Sequence, residues 1–227
     1  MHTKRPRRIK VFTDQEIMDD LEKYRKSAIE LGAVDALIIP SEKVPVDDRV
    51  RIKCIIPKCP SYGRCAHCPP HSLEPQQIRE LVRSYRYGLL AKIEIEPSIL
   101  LGENFSGVDE KGRPIPTKRL MELLKLYRNL ADIVTEIESQ AFYDGHYLAT
   151  AFSAGSCNAN YCNGMECVVL KGQACRFALR ARPSLGGSSI DAYKMAAEAG
   201  WEIYPIGMDC NPEFIPYGTV MGLVMVE

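Results

Sequence analysis

Eight of the nine cysteines in this sequence fall into two short runs, and thiols at such spacings can bind metal. The first run is Cys54, Cys59, Cys65 and Cys68, and the second run is Cys157, Cys162, Cys167 and Cys175. Four thiolates supplied by one short loop can surround a single compact metal centre. Each run is therefore predicted to hold one centre.

The spacing within the runs bears on which metal they hold. Structural zinc sites pair two tight Cys-x-x-Cys turns, and only Cys65-Ala-His-Cys68 has that form here. A [4Fe–4S] cluster is larger, and spacings of about two to four residues in glycine-rich loops suit it. Proline follows Cys59 and Cys68, as it follows a ligand cysteine in ferredoxin-type runs. The sequence favours two [4Fe–4S] clusters, with zinc and redox-active free thiols as alternatives.

Three further residues, one cysteine and two histidines, are predicted to have structural or accessory roles. Cys210 has no neighbouring cysteine and is predicted to be a buried structural thiol. His67 and His71 lie in or beside the first run, where we expect them near the metal or at the surface, with direct ligation or a hydrogen bond to sulfide as the alternative.

Basic residues follow the second run and lead into a turn rich in glycine and serine. They are Arg176, Arg180 and Arg182, with Ser184 opening the turn. Such a turn with arginines beside it can bind an anionic cofactor or substrate. The same arginines could instead offset the negative charge of a thiolate-bound cluster, so the sequence leaves both roles open.

Composition is that of an ordinary globular protein of 227 residues, with 46% apolar and 26% charged residues. Lys plus Arg total 29 and Asp plus Glu total 29, so no overall field favours nucleic acid or an anionic membrane. No apolar run resembles a signal peptide or reaches the ~20 residues that a membrane span needs. We therefore expect a cytoplasmic protein, where clustered cysteines bind metal or catalyse and rarely form disulfides.

The elements that would position the thiols can be predicted from hydrophobic periodicity and turn residues. Helices are predicted over 14–32, 75–86, 117–142 and 189–199, the first opened by Asp14 and closed by Gly32. Strands are predicted over 34–39, 50–56, 88–95, 147–152, 201–206 and 219–226, and residues 57–72 are too rich in proline for either. This predicts a single α+β domain over 14–227 with a mixed sheet, a basic arm over 1–13, and both cysteine runs at strand ends.

Two segments together resemble a known protein family. They are Cys59-Pro-Ser-Tyr-Gly-Arg-Cys65-Ala-His-Cys68-Pro-Pro-His and Cys175-Arg-Phe-Ala-Leu-Arg-Ala-Arg-Pro-Ser-Leu. They are similar to the predicted metal-binding proteins grouped as domain of unknown function 2284, over most of residues 30–226. The resemblance implies a small prokaryotic, often anaerobe-associated protein with cysteine-bound metal, commonly supposed to be iron–sulfur, and it implies no particular reaction.

The function expected from these features is electron transfer to or within a redox enzyme system, with a redox protein as partner. One alternative is a reductase that holds a small substrate near the second run. Another is a zinc-stabilised binding module. Nucleic acid and membrane are not expected as partners, and a homo-oligomer is left open.

Overall fold

The computed structural model describes residues 5–100, 106–108, 114–207 and 209–227. The helices are α1 (Asp14–Glu30), α2 (Asp48–Ile55), α3 (Pro75–Arg83), α4 (Pro97–Leu100), α5 (Lys118–Asp144), α6 (Cys157–Cys162) and α7 (Ala192–Glu198). The strands are β1 (Asp35–Pro40), β2 (Tyr87–Ile95), β3 (Ser106–Val108), β4 (Pro114–Pro116), β5 (Thr150–Phe152) and β6 (Gly218–Val226).

The main sheet has the strand order β1-β2-β6-β5, and each neighbouring pair is antiparallel. The α+β class is thus confirmed, but the prediction of a mixed sheet is wrong. Strand β6 is central and carries apolar side chains on both faces. Successive residues Leu223 and Val224 enter different cores, because side chains alternate across a strand.

Helices cover both faces of this sheet. Helices α1 and α5 pack on one face through residues such as Leu21 and Leu130, and α3 and α7 pack on the other through Ile78 and Met195. Their apolar positions recur at helical spacing, which explains why the sequence predicts these helices well. The sheet therefore forms the middle of three layers.

The segment predicted as a strand over 50–56 is a helix. Asp47 caps α2 by accepting a hydrogen bond from the backbone N–H of Arg49, and no residue of α2 is buried. Apolar β-branched residues favour a strand only where they can pack on a half-buried sheet. The first cysteine run therefore begins inside a helix, at Cys54, and only the second run follows a strand.

Residues 201–206 also form no strand in the described structure, although the sequence predicts one. Trp201 and Ile203 pack on the core against α7. The indole Nε1 of Trp201 donates a hydrogen bond of 2.8 Å to Asp35 Oδ2. Side-chain contacts thus hold this segment in place of backbone pairing.

Arg7 and Phe12 of the basic arm contact the domain, whereas residues 1–4 lie outside the described residues. Arg7 Nη1 donates to both carboxylate oxygens of Asp20 at 2.9 Å. Phe12 is 5% exposed, and its ring centroid lies 4.3 Å from that of His146. The arm is therefore attached to α1 and to the end of α5 over this stretch.

The N-cap of α1 is Thr13, not Asp14 as predicted. The Thr13 side chain accepts a hydrogen bond from the backbone N–H of Glu16, and the Glu16 carboxylate accepts one from the backbone N–H of Thr13. We expect Thr13→Ala to lower the free energy of unfolding by about 1 kcal/mol in urea denaturation. Gln15→Ala, in the same exposed turn, is the control, and equal losses would contradict the cap.

The same cap predicts a pH dependence. Hydrogen bonds from Lys10 and then from Thr13 lower the pKa of Glu16 from 4.5 to about 2. A carboxylate whose pKa is depressed by folding stabilises the fold above its unfolded pKa, and this contribution is lost as pH falls from 4.5 towards 2. The destabilisation caused by Thr13→Ala should therefore shrink over that range.

Candidate metal centre

The two cysteine runs meet at Cys65. Its Sγ lies 3.9 Å from Cys157 Sγ, so a thiol of the second run contacts the first run. Ser156 Oγ lies 3.7 Å from Cys65 Sγ and 3.5 Å from Cys68 Sγ. Cys65 and Cys68 are buried, at 1% and 8% exposed, because the irregular loop folds over them. Cys65, Cys68 and Cys157 form the first set of thiols, at the centre of the candidate site.

Electrostatics within this group favours one thiolate at a time. Hydrogen bonds from Cys157 and Cys68 lower the pKa of Cys65, because both thiols stabilise its thiolate. The same hydrogen bonds, and then burial, raise the pKa values of Cys68 and Cys157. A bound cation would supply the positive charge that lets the other thiols ionise as well.

Cys59 and Cys54 are the remaining thiols of the first run. The charge of Cys59 is the smallest of the causes that raise the pKa of Cys68. The backbone N–H of Cys59 bonds to the carbonyl oxygen of Cys54 at 3.0 Å. Cys54 also lines a cavity of about 980 Å³ between α2 and the segment 186–193, together with Lys53 and Tyr193.

The remaining thiols of the second run, Cys162, Cys167 and Cys175, are partly buried, and we call them the second set. Burial raises the pKa of Cys162, the guanidinium of Arg176 opposes that rise, and the charges of Cys175 and Cys167 add to it. Arg176 Nη1 donates a hydrogen bond of 2.9 Å to the carbonyl oxygen of Glu166, and this bond closes the loop between the two residues. The rings of Tyr161 and Phe177 stack at 5.7 Å on the same side.

Helix α6 connects the two sets. Cys157 at its first residue contacts Cys65, and Cys162 at its last residue belongs to the exposed set. A helix rises 1.5 Å per residue, so these two positions are only about 7.5 Å apart along the axis. The structure thus brings Cys157 of the second run against Cys65 of the first run, with Cys162 one short helix away.

The four residues predicted to bind an anion do not converge on one site. Arg182 forms an ion pair with Glu138, with Nε 2.7 Å from Oε2. Arg180 Nε lies 3.7 Å from Asp132 Oδ1. Ser184 Oγ accepts the backbone N–H of Gly187 at 3.0 Å and so shapes the turn. Of the four, only Arg176 lies beside a thiol.

Two residues that contact predicted site residues, Ser156 and Glu138, were not predicted from the sequence. Ser156 touches two thiols, and the only sequence signal for it is its position directly before Cys157. Glu138 lies on α5, far from both runs in sequence, and no local pattern marks it. His67 Nδ1 is buried with no hydrogen-bond partner among the described residues, and burial lowers the pKa of this side chain.

One pair of thiols is spaced as two ligands of a single metal ion would be. The Cys65–Cys157 distance of 3.9 Å is close to the ~3.8 Å expected for two thiolates on one tetrahedral ion with bonds of about 2.3 Å. In the part of the chain that the structure describes, no three His, Cys, Asp or Glu side chains are close enough to hold one ion. The thiols therefore lie as neighbouring groups and not as a closed shell of ligands around a point.

The two cysteine-rich segments of this α+β domain contact each other through Cys65 and Cys157, as would be expected in a metal-binding class of protein. The chain belongs to the family described as predicted metal-binding protein (DUF2284), whose profile matches residues 37–226, and the resemblance noted in the sequence is confirmed. No curated protein and no solved structure matches the chain. None of the described helices combines the length and the apolar character that a membrane crossing needs.

Proposed function

We propose that this protein carries two thiolate-held [4Fe–4S] clusters and relays single electrons between a partner protein and a redox enzyme. The observation that supports the relay is α6, which starts in one thiol set and ends in the other. Two centres about one short helix apart can exchange electrons without a further carrier. A zinc-stabilised module would need no such proximity between its two sites.

The residues around the first set would hold and tune its centre. When bound, an iron–sulfur cluster accepts and releases one electron at a potential set by burial and by hydrogen bonds to sulfur. Cys65 and Cys68 are buried away from water, and the Ser156 hydroxyl accepts from the Cys68 thiol and contacts Cys65. Once either sulfur is a metal-bound thiolate, the same hydroxyl would donate to it. This set is suited to the protected end of the relay.

The second set would be the end that meets the partner. Its cysteines are only partly buried, and the apolar side chains around it are exposed, with Met165 at 52%, Leu170 at 40% and Leu179 at 87%. Apolar groups exposed beside a redox centre suit transient docking of a protein. Arg176 adds positive charge at this edge, so an acidic partner surface fits best.

Anaerobic purification followed by metal and sulfide analysis tests the proposal. The protein should contain iron and sulfide, show broad visible absorption, and bleach when dithionite is added. A colourless protein with stoichiometric zinc would refute the iron–sulfur proposal and leave the binding module. A reductase with its substrate on Arg180 and Arg182 has little support, because Arg182 is already paired with Glu138.

Ser156 yields a prediction that separates tuning from metal binding. Ser156→Ala should lower the reduction potential of the first centre, because a donor that stabilises the more negative reduced state is lost. Metal content should stay unchanged, and a redox titration followed by electron paramagnetic resonance measures the shift. Ser153→Ala is the control, since Ser153 Oγ is buried without a hydrogen-bond partner among the described residues. Equal potentials in both variants would contradict the role of Ser156.

A further inference from the structure

The cavity of about 980 Å³ beside Cys54 takes no part in the electron relay proposed above. Its walls are α2 and the segment 186–193, and residues 205–207 line it as well. This volume lies within the ~300–1,000 Å³ that is typical of small-molecule sites in proteins. The cavity is therefore large enough to enclose a small organic molecule.

Backbone hydrogen bonds join the two main walls, so the cavity is preformed. The N–H of Asp47 donates to the carbonyl oxygen of Ser189 at 2.9 Å. The N–H of Asp191 donates to the carbonyl oxygen of Pro45 at 2.8 Å. A preformed pocket binds a ligand without first having to order its own walls, which lowers the entropic cost of binding.

The turn over 186–189 connects this cavity to the loop of the first cysteine run. Gly186 lines the cavity, and a Cβ at Gly187 would lie 3.2 Å from the carbonyl oxygen of His67. Ser189 is fully buried and has a φ of 61°, a left-handed conformation that is uncommon for a residue other than glycine. Such strained residues concentrate at functional sites, and this one lies between the cavity and the thiol loop.

The lining of the cavity is largely apolar and includes one aromatic ring. Its apolar side chains are those of Val50, Ile190, Ala192, Pro205 and Ile206. Tyr193 is 51% exposed, so its ring is free to stack on a ligand. Sites lined in this way bind molecules with an apolar or aromatic body, and a few polar groups orient them.

Four charged side chains line the cavity, and three of them already have partners within the protein. Arg49 Nε lies 3.0 Å from both carboxylate oxygens of Asp47. Asp191 Oδ1 accepts the backbone N–H of Lys194 at 3.0 Å. The fourth is Lys53, which forms no ion pair or hydrogen bond with any residue that the structure describes. An anionic group on a ligand would therefore pair with Lys53.

From this lining we propose that the cavity binds a small aromatic carboxylic acid. The aromatic ring packs against Tyr193 and the apolar wall, and the carboxylate pairs with Lys53. Cys54 also lines the cavity, so the bound acid lies beside a thiol of the first run. The site does not rest on the electron-transfer proposal, because its polar contacts come from side chains and not from a metal.

Indole-3-acetate and its amide, indole-3-acetamide, are matched probes that differ in charge but hardly in shape. Isothermal titration calorimetry with the purified protein, its metal in place, measures the binding of each. The acid should bind about fivefold more tightly than the amide, because only the acid pairs with Lys53. Equal affinities, or no binding of the acid, would overturn the proposal.

Two lysine variants test the role of Lys53. Lys53→Met should weaken the binding of indole-3-acetate about fivefold and leave that of the amide unchanged. Lys58→Met is the control, because Lys58 belongs to the same basic stretch but does not line the cavity. If both variants weaken the acid equally, the effect is one of general charge, and the assignment of Lys53 is wrong.

Gly186 offers a way to fill the cavity without disturbing the fold. A Cβ there would meet no atom within 4 Å, and the φ of Gly186 lies outside the left-handed region, so a side chain fits. Gly186→Leu should weaken both probes at least tenfold while metal content and the unfolding temperature stay unchanged, and Gly186→Ala should cost less. Parent-like binding in Gly186→Leu would place the site elsewhere and overturn the proposal. If Gly186→Leu fails to fold, the exposed Lys53 still tests the same site.

Discussion

Cys65→Ser should remove the metal of the first centre and lower the stability of the whole domain by about 3 kcal/mol or more. The Cys65 sulfur contacts Cys157 and Ser156, so it joins the loop after α2 to the start of α6. In cysteine-rich loops the free energy of metal binding is largely free energy of folding, so losing the metal costs stability. Metal analysis and anaerobic thermal unfolding measure the two effects together.

The control for this variant is Cys210→Ser, which should retain all of the metal. Cys210 is partly buried, and its Sγ lies 3.9 Å from the carbonyl oxygen of Asn211. Loss of metal from Cys210→Ser would show that the ninth thiol is a ligand. After the metal is stripped from both proteins, the parent and Cys65→Ser should unfold at similar temperatures. A difference that persists would assign the effect to packing and contradict the metal-based explanation.

Glu138→Ala should destabilise the protein by about 3 kcal/mol, because the Glu138 carboxylate accepts hydrogen bonds from two different segments of the chain. Its Oε1 accepts the backbone N–H of Ala151 in β5 at 2.8 Å, and its Oε2 accepts Arg182 Nε at 2.7 Å. The Glu138 and Arg182 side chains are largely buried, at 14% and 20% exposed, so alanine would leave the guanidinium without its carboxylate, although Nη1 keeps two backbone carbonyl acceptors, and would remove the side-chain acceptor of the Ala151 N–H. For a chain of this size the midpoint of thermal unfolding should fall by roughly 10 °C.

Two further variants on α5 make the Glu138 test specific. Glu138→Gln keeps an acceptor for Ala151 but removes the charge, so it should be less harmful than alanine. Glu122→Ala removes an exposed carboxylate whose partner Lys118 lies 3.9 Å away, and it should cost less than about 1 kcal/mol. If Glu138→Ala were no worse than Glu122→Ala, the anchoring role of Glu138 would be refuted.

The fold could be predicted well wherever local pattern and tertiary packing agree. The long helix α5 and strand β6 carry apolar residues at the periods of a helix and a buried strand, and both lie where they were predicted. The strand predicted over 50–56 was wrong because its isoleucines are exposed and Asp47 caps a helix there. The strand predicted over 201–206 was wrong because side-chain contacts hold this segment: Trp201 packs on the core and donates a hydrogen bond to Asp35, and no backbone pairing with a strand forms in the described structure.

The site was predictable in its residue types but not in its grouping. Thiols at short spacing in a protein expected in the cytoplasm favour metal binding over disulfides, so the eight candidate ligands follow from sequence alone. The arginines did not reveal their partners, since Glu138 pairs with Arg182 only after α5 packs on β5. The functional assignment of Arg182 from sequence therefore overlooked an ion pair between distant elements.

The sequence by itself determined the metal-binding family, the α+β class and the cysteines available as ligands, because these depend on residue type and local spacing. Only the tertiary structure decided which thiols are neighbours. Helix α6 carries Cys157 into the first set while Cys162 remains in the second. That division depends on how the loop after α2 and the segment after β5 pack together, and no local spacing in the chain encodes it.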